Sequence, residues 1–202
     1  MLNINKFLNN RRLKARSNNS VVKKILNDVK KNKIKALIKY EKKFSKNSKI
    51  KVNSKEITQS IKKLSPKIKS SLDFAYKRIF NFHIKQKIKN VRYFDKYKNL
   101  LEHKIIPLNS VGVYVPSNLP SSLLMNAIPA KIAKVKRIVL ANPRVKGKLN
   151  SAVMYVARKL GIKEIYSMGG AQAIASLGYI QKVDKIVGPG NKFVSQAKLS
   201  LF

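Results

Sequence analysis

The chain of 202 residues is 44% hydrophobic and carries 45 Lys and Arg against 8 Asp and Glu, a formal net charge of +37. This length and composition suffice for one large domain or two small ones, each with a buried core. The lack of cysteine excludes a disulfide framework and a thiolate metal site, and no apolar run reaches the roughly eighteen residues of a membrane span. The amino terminus also lacks the apolar core of a secretory signal, so we expect a cytoplasmic protein with no membrane partner.

The positive charge is spread along the whole chain. Residues 1–100 contain 30 Lys and Arg against 5 acids, and residues 101–202 contain 15 against 3. A nucleic-acid site is expected to concentrate its charge in a stripe and to carry a recognisable motif, and the sequence shows neither. The charge therefore predicts non-specific, salt-sensitive adhesion to polyanions. A basic nucleic-acid-associated protein is kept as an alternative function.

The first part of the chain has the apolar periodicity of helices. The pattern over residues 20–44 predicts two short helices that break near Asn32. Ser65 followed by Pro66 is typical of an N-cap with proline at the first helical position. The apolar positions of the long amphipathic helix that follows are Ile68, Leu72, Ala75, Ile79 and Phe82. Extended segments are predicted between residues 91 and 107, including one over residues 104–108.

From Asn109 onwards, strands and helices alternate. Strands are predicted over residues 110–115, 137–140, 164–168 and 185–187. Between them, Ser121 or Ser122 caps a predicted helix, and a second helix over residues 149–160 ends before Gly161. Such alternation requires parallel strands joined by helical crossovers. The sequence thus predicts an α/β fold in two parts, a helical and extended amino-terminal part (1–109) and an incomplete Rossmann-like open parallel sheet (110–202).

Three loops follow strands of this predicted sheet at the edge where ligands bind in such folds, namely residues 114–118, 169–172 and 188–191. Their glycines allow close approach of a ligand, and the helix N-termini that follow offer unpaired N–H groups to an anion such as a pyrophosphate. Gln172 and Asn191 are candidates to hydrogen-bond a ribose or an amide, and Tyr114 to stack on or bond a ring. The alternative is that these loops are plain helix entries. No G-x-G-x-x-G fingerprint is present.

The two histidines do not form a predicted metal or catalytic site. His83 lies beside Phe82 on the long helix, and His103 lies in an extended segment. Neither has a second histidine or a carboxylate at the spacing of metal ligands. We therefore assign no catalytic residue and no metal ligand from the sequence.

Five ordered segments, among them VGVYVP, GGAQAIA and KVDKIVGPGN, closely resemble the histidinol dehydrogenase family, and the resemblance extends from about Arg12 to the end of the chain. It implies an enzyme of histidine biosynthesis that uses NAD and zinc to oxidise L-histidinol to L-histidine in two steps. By motif position it implies NAD contacts at Tyr114, Gln172 and Asn191.

The same resemblance places the family's zinc ligands, substrate-binding residues and proton-transferring Glu–His pair in a second half that is expected beyond Phe202. The loops at residues 117–120 and 177–181 are also shorter than is usual for the family. We therefore expect a truncated or split histidinol dehydrogenase, inactive alone, that forms a homo-oligomer or is completed by a second half. The alternative within the same family is a fragment that retains only dinucleotide binding, or no activity.

Overall fold

The computed structural model describes the backbone of residues 4–201 and the side chains of residues 19–201. Three helices and a hairpin come first, and helices then alternate with four strands. The elements are α1 (Ile4–Ser45), α2 (Ser54–Lys62), α3 (Pro66–Lys85), β1 (Val91–Phe94), β2 (Leu100–His103), β3 (Ser110–Tyr114), α4 (Pro120–Ile132), β4 (Arg137–Ala141), α5 (Ser151–Lys159), β5 (Glu164–Tyr166), α6 (Gly170–Tyr179), β6 (Lys185–Val187) and α7 (Lys192–Leu199).

Helix α1 contains the break that the sequence predicts. Lys33 has φ 48° and ψ −126°, which lies outside the helical region and interrupts the helix one residue after Asn32. Both sides of the break bury apolar residues, including Val29 and Leu37, and α1 packs against α6 and α7. The helix begins at Ile4, well before the predicted start at Ser20.

Helix α3 begins as predicted, because the Ser65 side chain accepts a hydrogen bond from the Ile68 amide and Pro66 occupies the first helical position. Its predicted apolar face is only partly correct. One side of the middle of α3 is half-buried against α4 and α5, namely Leu72, Ala75, Tyr76, Ile79 and Phe80. Ile68 is 46% exposed and Phe82 is 61% exposed. The middle of α3 therefore makes the contact, and its two ends extend past it.

Strands β1 and β2 form an antiparallel hairpin in which Val91 pairs with His103. Every residue of both strands is exposed. Residues 104–108, for which an extended segment is predicted, follow β2 and form no strand. β1 therefore pairs with β2, which comes immediately before the segment that the sequence predicts to be extended.

The other four strands form the predicted parallel sheet, in the order β5-β4-β3-β6. β4 and β5 follow on one side of β3 and β6 lies on its other side, so the order in which strands are added reverses at β3, which is the topological switch point of a Rossmann-type half. One hydrophobic cluster joins α1, α6 and α7 to one face, and a second joins α2, α3, α4 and α5 to the other. The α/β fold class is confirmed, and the division into domains at residues 109 and 110 stays a prediction.

The caps of the sheet's helices differ from the prediction at one place. Helix α4 starts at Pro120, and its N-cap, Leu119, makes no side-chain hydrogen bond. Ser121 and Ser122 therefore lie inside the first turn, and their predicted capping role is wrong. Helix α5 is capped by Asn150 and is followed by Gly161 at φ +66°, as predicted for a C′ glycine. Of the described helices, none combines the length and apolar character needed to cross a bilayer.

Candidate functional site

A cavity of about 360 Å³ lies at the carboxyl edge of the sheet, where β3, β5 and β6 end. Its walls include Tyr114, Gln172 and Asn191, together with glycines of the loop before α6. Helix α1 completes the wall with Val21, Ile25, Phe44 and Ser45. The structure therefore brings the three sequence-predicted residues together, at the switch point where ligands bind in open α/β sheets.

Tyr114 is the last residue of β3 and is 6% exposed. Its hydroxyl oxygen accepts a long hydrogen bond, 3.4 Å, from the Gly170 amide at the start of α6. Burial raises the pKa of Tyr114 above its usual 10.0, so the hydroxyl keeps its proton. That proton is available for donation to a ligand in the cavity.

Gln172 lies in the first turn of α6 and is 2% exposed. Its Nε2 donates a hydrogen bond of 2.8 Å to Oε1 of Glu41. No described residue donates to its own Oε1. The amide is therefore held on one side and has a free acceptor on the other.

Asn191 is the N-cap of α7. Its Oδ1 accepts hydrogen bonds of 3.1 Å from the amides of Phe193 and Val194, which is the standard capping arrangement. Asn191 thus has the structural role that belongs to a plain helix entry, the alternative given for these loops. Capping uses the oxygen alone, however, so the two Nδ2–H groups of this exposed side chain remain as donors beside the cavity.

The loop after β6 requires glycine where it passes the end of β3. Gly188 has φ +113°, and a methyl group added there would collide with the carbonyl oxygen of Tyr114. The carbonyl of Gly188 in turn accepts a hydrogen bond from Nζ of Lys198, whose pKa is lowered by burial. This close approach fixes the β6 loop against β3.

The expectation of unpaired N–H groups at both helix N-termini is only partly correct. At α6, the Gly169 amide donates to Glu41 and the Gly170 amide to Tyr114. At α7, the side chain of Asn191 accepts from the amides of Phe193 and Val194 and leaves that of Lys192. The donors left for an anion are the first-turn amides of Ala171, Gln172 and Lys192, which have no acceptor within their helices.

Glu41 is a residue of this site that the sequence reasoning missed. It is 0% exposed, and its Oε1 accepts hydrogen bonds of 2.8 Å from both the Gly169 amide and Nε2 of Gln172. Burial raises its pKa above the usual 4.5, and the hydrogen bonds from Gly169 and Gln172 act in the opposite direction. The available signal was its position, since Glu41 continues the apolar helical face of Leu37 and Ile38.

The described residues do not fit a zinc site. Among residues 19–201, no three His, Cys, Asp or Glu side chains lie close enough to hold a metal ion. The ring of His83 is hydrogen-bonded to the Gln86 side chain at 2.7 Å, and His103 is exposed on β2.

A sequence model described as histidinol dehydrogenase matches residues 8–202. A histidinol dehydrogenase of Pelagibacter ubique is 52% identical over 203 residues, covering 97% of this chain and 47% of that protein. One from Caldanaerobacter subterraneus is 40% identical, covering 98% of this chain and 48% of that protein. The crystal structure of histidinol dehydrogenase from Elizabethkingia anophelis matches with a TM-score of 0.86 at 36% identity, covering 90% of this chain and 44% of that one. The chain thus spans about half the length of these relatives, and it belongs to the histidinol dehydrogenase family.

Proposed function

We propose that the chain binds NAD in the cavity at the carboxyl edge of its sheet, as the dinucleotide-binding portion of a histidinol dehydrogenase that oxidises L-histidinol to L-histidine. The observation that supports this most is the convergence on one cavity, at the switch point, of Tyr114 from the end of β3, Gln172 from α6 and Asn191 from the start of α7. Membership of a biosynthetic enzyme family supports a location in the cytoplasm.

The groups that line the cavity fit a dinucleotide. The hydroxyl of Tyr114 and the Nδ2 of Asn191 are donors, Oε1 of Gln172 is an acceptor, and the first-turn amides of α6 suit a phosphate. Apolar side chains of α1, such as Ile25, suit the face of a ring. NAD would accept the hydride in such an oxidation, and the residues that line the cavity would bind and orient it.

Two asparagine caps of this chain allow a matched test. Asn191 caps α7 beside the cavity, and Asn150 caps α5 without lining it. Replacing either by alanine should lower the free energy of unfolding by roughly 0.5–2 kcal/mol. Only Asn191→Ala should weaken NAD binding, by up to about tenfold, because only it removes a ligand donor. Calorimetric titration with NAD and urea denaturation measure the two effects.

The two ways in which this test can fail are distinct. If the wild-type chain binds no NAD, the proposed function is wrong. If NAD binds and both alanine variants retain the wild-type affinity, Asn191 acts only as a cap, and its assignment to the cofactor is rejected.

We further propose that activity requires the second half of the family's sequence, and that the chain associates with that half or with another copy of itself. The residues that the family resemblance assigns to zinc and proton transfer have no counterpart in the described part of the chain. The stretch from α3 to residue 106 also exposes large apolar side chains, each between 61% and 75% accessible, namely Phe74, Phe82, Ile88, Phe94, Tyr97 and Ile106. Such an apolar surface is typical of an interface. Light scattering of the purified chain, with and without a co-expressed second half, measures which assembly forms.

A further inference from the structure

We propose that Glu41 is a positioning residue of the dinucleotide crevice, which fixes the side-chain amide of Gln172 so that its Oε1 faces the ligand. The inference rests on the proposed binding of NAD. It adds a residue of α1 to the site and states which kind of group on the ligand Gln172 recognises.

The geometry places Glu41 behind the wall of the cavity. Its Oε1 is 2.8 Å from the Gly169 amide and 2.8 Å from Nε2 of Gln172, and both of those residues line the cavity, whereas Glu41 does not. Glu41 and Gln172 are 131 positions apart in the chain. One carboxylate oxygen of α1 therefore holds both the loop before α6 and the first turn of α6.

This contact determines the orientation of the Gln172 amide. Oε1 of Glu41 already accepts from the Gly169 amide, and a proton bound by Glu41 is accommodated on Oε2, which has no partner among residues 19–201. Oε1 therefore acts as an acceptor, and Gln172 turns its NH₂ group towards it. Its Oε1 then lies on the other side, and a methyl group added at Gly170 would be 2.9 Å from it. The ligand group that meets Gln172 must therefore be a hydrogen-bond donor, such as a ribose hydroxyl or the amino group of a carboxamide or adenine.

Burying a carboxyl group at this position lowers the stability of the fold, which is unexpected for a residue with no role in the site. Glu41 is the one acidic side chain that is fully buried in the described part of the chain. The Ser45 hydroxyl counters part of the rise in its pKa, but Oε2 has no hydrogen-bond partner among the described residues. Burying a polar atom without a partner is destabilising, and such groups concentrate at functional sites.

The test compares NAD binding by wild type, Glu41→Ala and Glu41→Gln, measured by calorimetric titration. Glu41→Ala should weaken binding between about twofold and tenfold, as Gln172→Ala should, because the amide becomes free to rotate. Glu41→Gln keeps an acceptor oxygen at the same reach and should restore affinity to within about twofold. The Glu41→Ala/Gln172→Ala double variant should lose no more than either single variant, since both remove the same interaction. Val29→Ala is the control, because it also destabilises α1 from a buried position but does not line the cavity.

A second readout does not depend on NAD. In wild type and Glu41→Gln, hydrogen exchange of the Gln172 side-chain NH₂ should be slow by NMR, and in Glu41→Ala it should be fast. Equal exchange in wild type and Glu41→Ala, or equal NAD affinity in the two, overturns the role of Glu41 and leaves the proposed NAD site standing. A wild-type chain that binds no NAD overturns the proposed function and this inference with it.

Discussion

At the scale of single residues, Gly170 combines two constraints. Its φ is +63°, and a methyl group on it would approach Oε1 of Gln172 to 2.9 Å. Gly170→Ala should therefore lower the free energy of unfolding by about 1–2 kcal/mol through the left-handed backbone, and it should also displace the amide. We expect weaker NAD binding in addition to the loss of stability, measured by calorimetry and urea denaturation.

Gly147 provides the control for this prediction. It has φ +75°, and no atom lies within 4 Å of a methyl group added there. Gly147→Ala should therefore have a similar backbone cost and leave NAD affinity unchanged. If Gly170→Ala binds NAD as tightly as Gly147→Ala, the orientation of Gln172 is unimportant for the ligand.

The residues of the site differ in how far the sequence could predict them. Tyr114, Gln172 and Asn191 follow strands, and because parallel strands end at one edge, their proximity could be inferred without coordinates. Glu41 could not be placed in this way. A residue on an apolar helical face is expected to be buried, but the pattern of one helix does not say which distant loop it will meet.

At the scale of elements, the docking of α1 on α6 places a carboxyl group in an apolar contact, and this has a consequence for pH dependence. The raised pKa of Glu41 means that the folded state binds its proton more tightly than the unfolded state. The stability that this provides is fully present below the unfolded pKa, near 4.5, and is lost as pH rises through the folded pKa. Relative to Glu41→Gln, wild type should therefore become less stable as pH increases from about 4 towards neutrality.

The comparison with Glu41→Gln is needed because other carboxylates act in the opposite direction. Hydrogen bonds and ion pairs lower the pKa of Glu56, Asp73 and Glu164, so their stabilisation is lost as pH falls. These carboxylates are the same in wild type and Glu41→Gln, so their effects cancel in the difference between the two free energies of unfolding. Urea denaturation of both proteins across this pH range measures that difference. If it stays constant with pH, Glu41 does not titrate differently on folding.

The sequence predicted the boundary of a helix correctly where a single local interaction sets that boundary. Ser65 with Pro66 starts α3, and Gly161 with its positive φ ends α5. The capping assigned to Ser121 and Ser122 is wrong because Pro120, which needs no N–H acceptor, takes the first helical position instead. The exposure of Phe82 depends on how far α3 extends past its neighbours, which periodicity does not encode.

At the scale of the whole molecule, alternation of strands and helices was sufficient to predict the parallel sheet. It did not predict where the amino-terminal part packs. Helix α1 covers one face together with α6 and α7, whereas α2 and α3 join α4 and α5 on the other. Such long-range placement depends on how well whole surfaces fit together, and the apolar pattern of a single helix contains little information about that fit.

The same architecture leads us to expect that the isolated chain does not oxidise histidinol. Removal of a hydride from an alcohol requires a base to take the hydroxyl proton. His83 is bonded to Gln86, His103 lies on the exposed hairpin, and neither lines the cavity that we propose for NAD. Purified chain with NAD, zinc and histidinol should produce no NADH above background. Turnover that persists after repeated purification, or stoichiometric bound zinc, would contradict this.

The net charge of +37 is a further property of the whole molecule. In the described part of the chain five ion pairs form, so most Lys and Arg side chains have no acidic partner there. The charge is spread through both halves of the chain, with no single basic stripe in the sequence. Binding to DNA should therefore depend only on the neutralisation of phosphates.

We expect the chain to bind DNA duplexes of unrelated sequence with equal affinity, because phosphate contacts carry no sequence information. The logarithm of the binding constant should fall linearly with the logarithm of the salt concentration, with a slope of about −0.9 per phosphate neutralised. If six to ten phosphates are engaged, affinity should drop by roughly a thousandfold or more between about 50 mM and 200 mM salt. Fluorescence anisotropy with two duplexes of equal length and different sequence measures both properties. A strong preference for one duplex at physiological salt would instead support the alternative function as a nucleic-acid-associated protein, since only base readout or DNA shape produces such a preference.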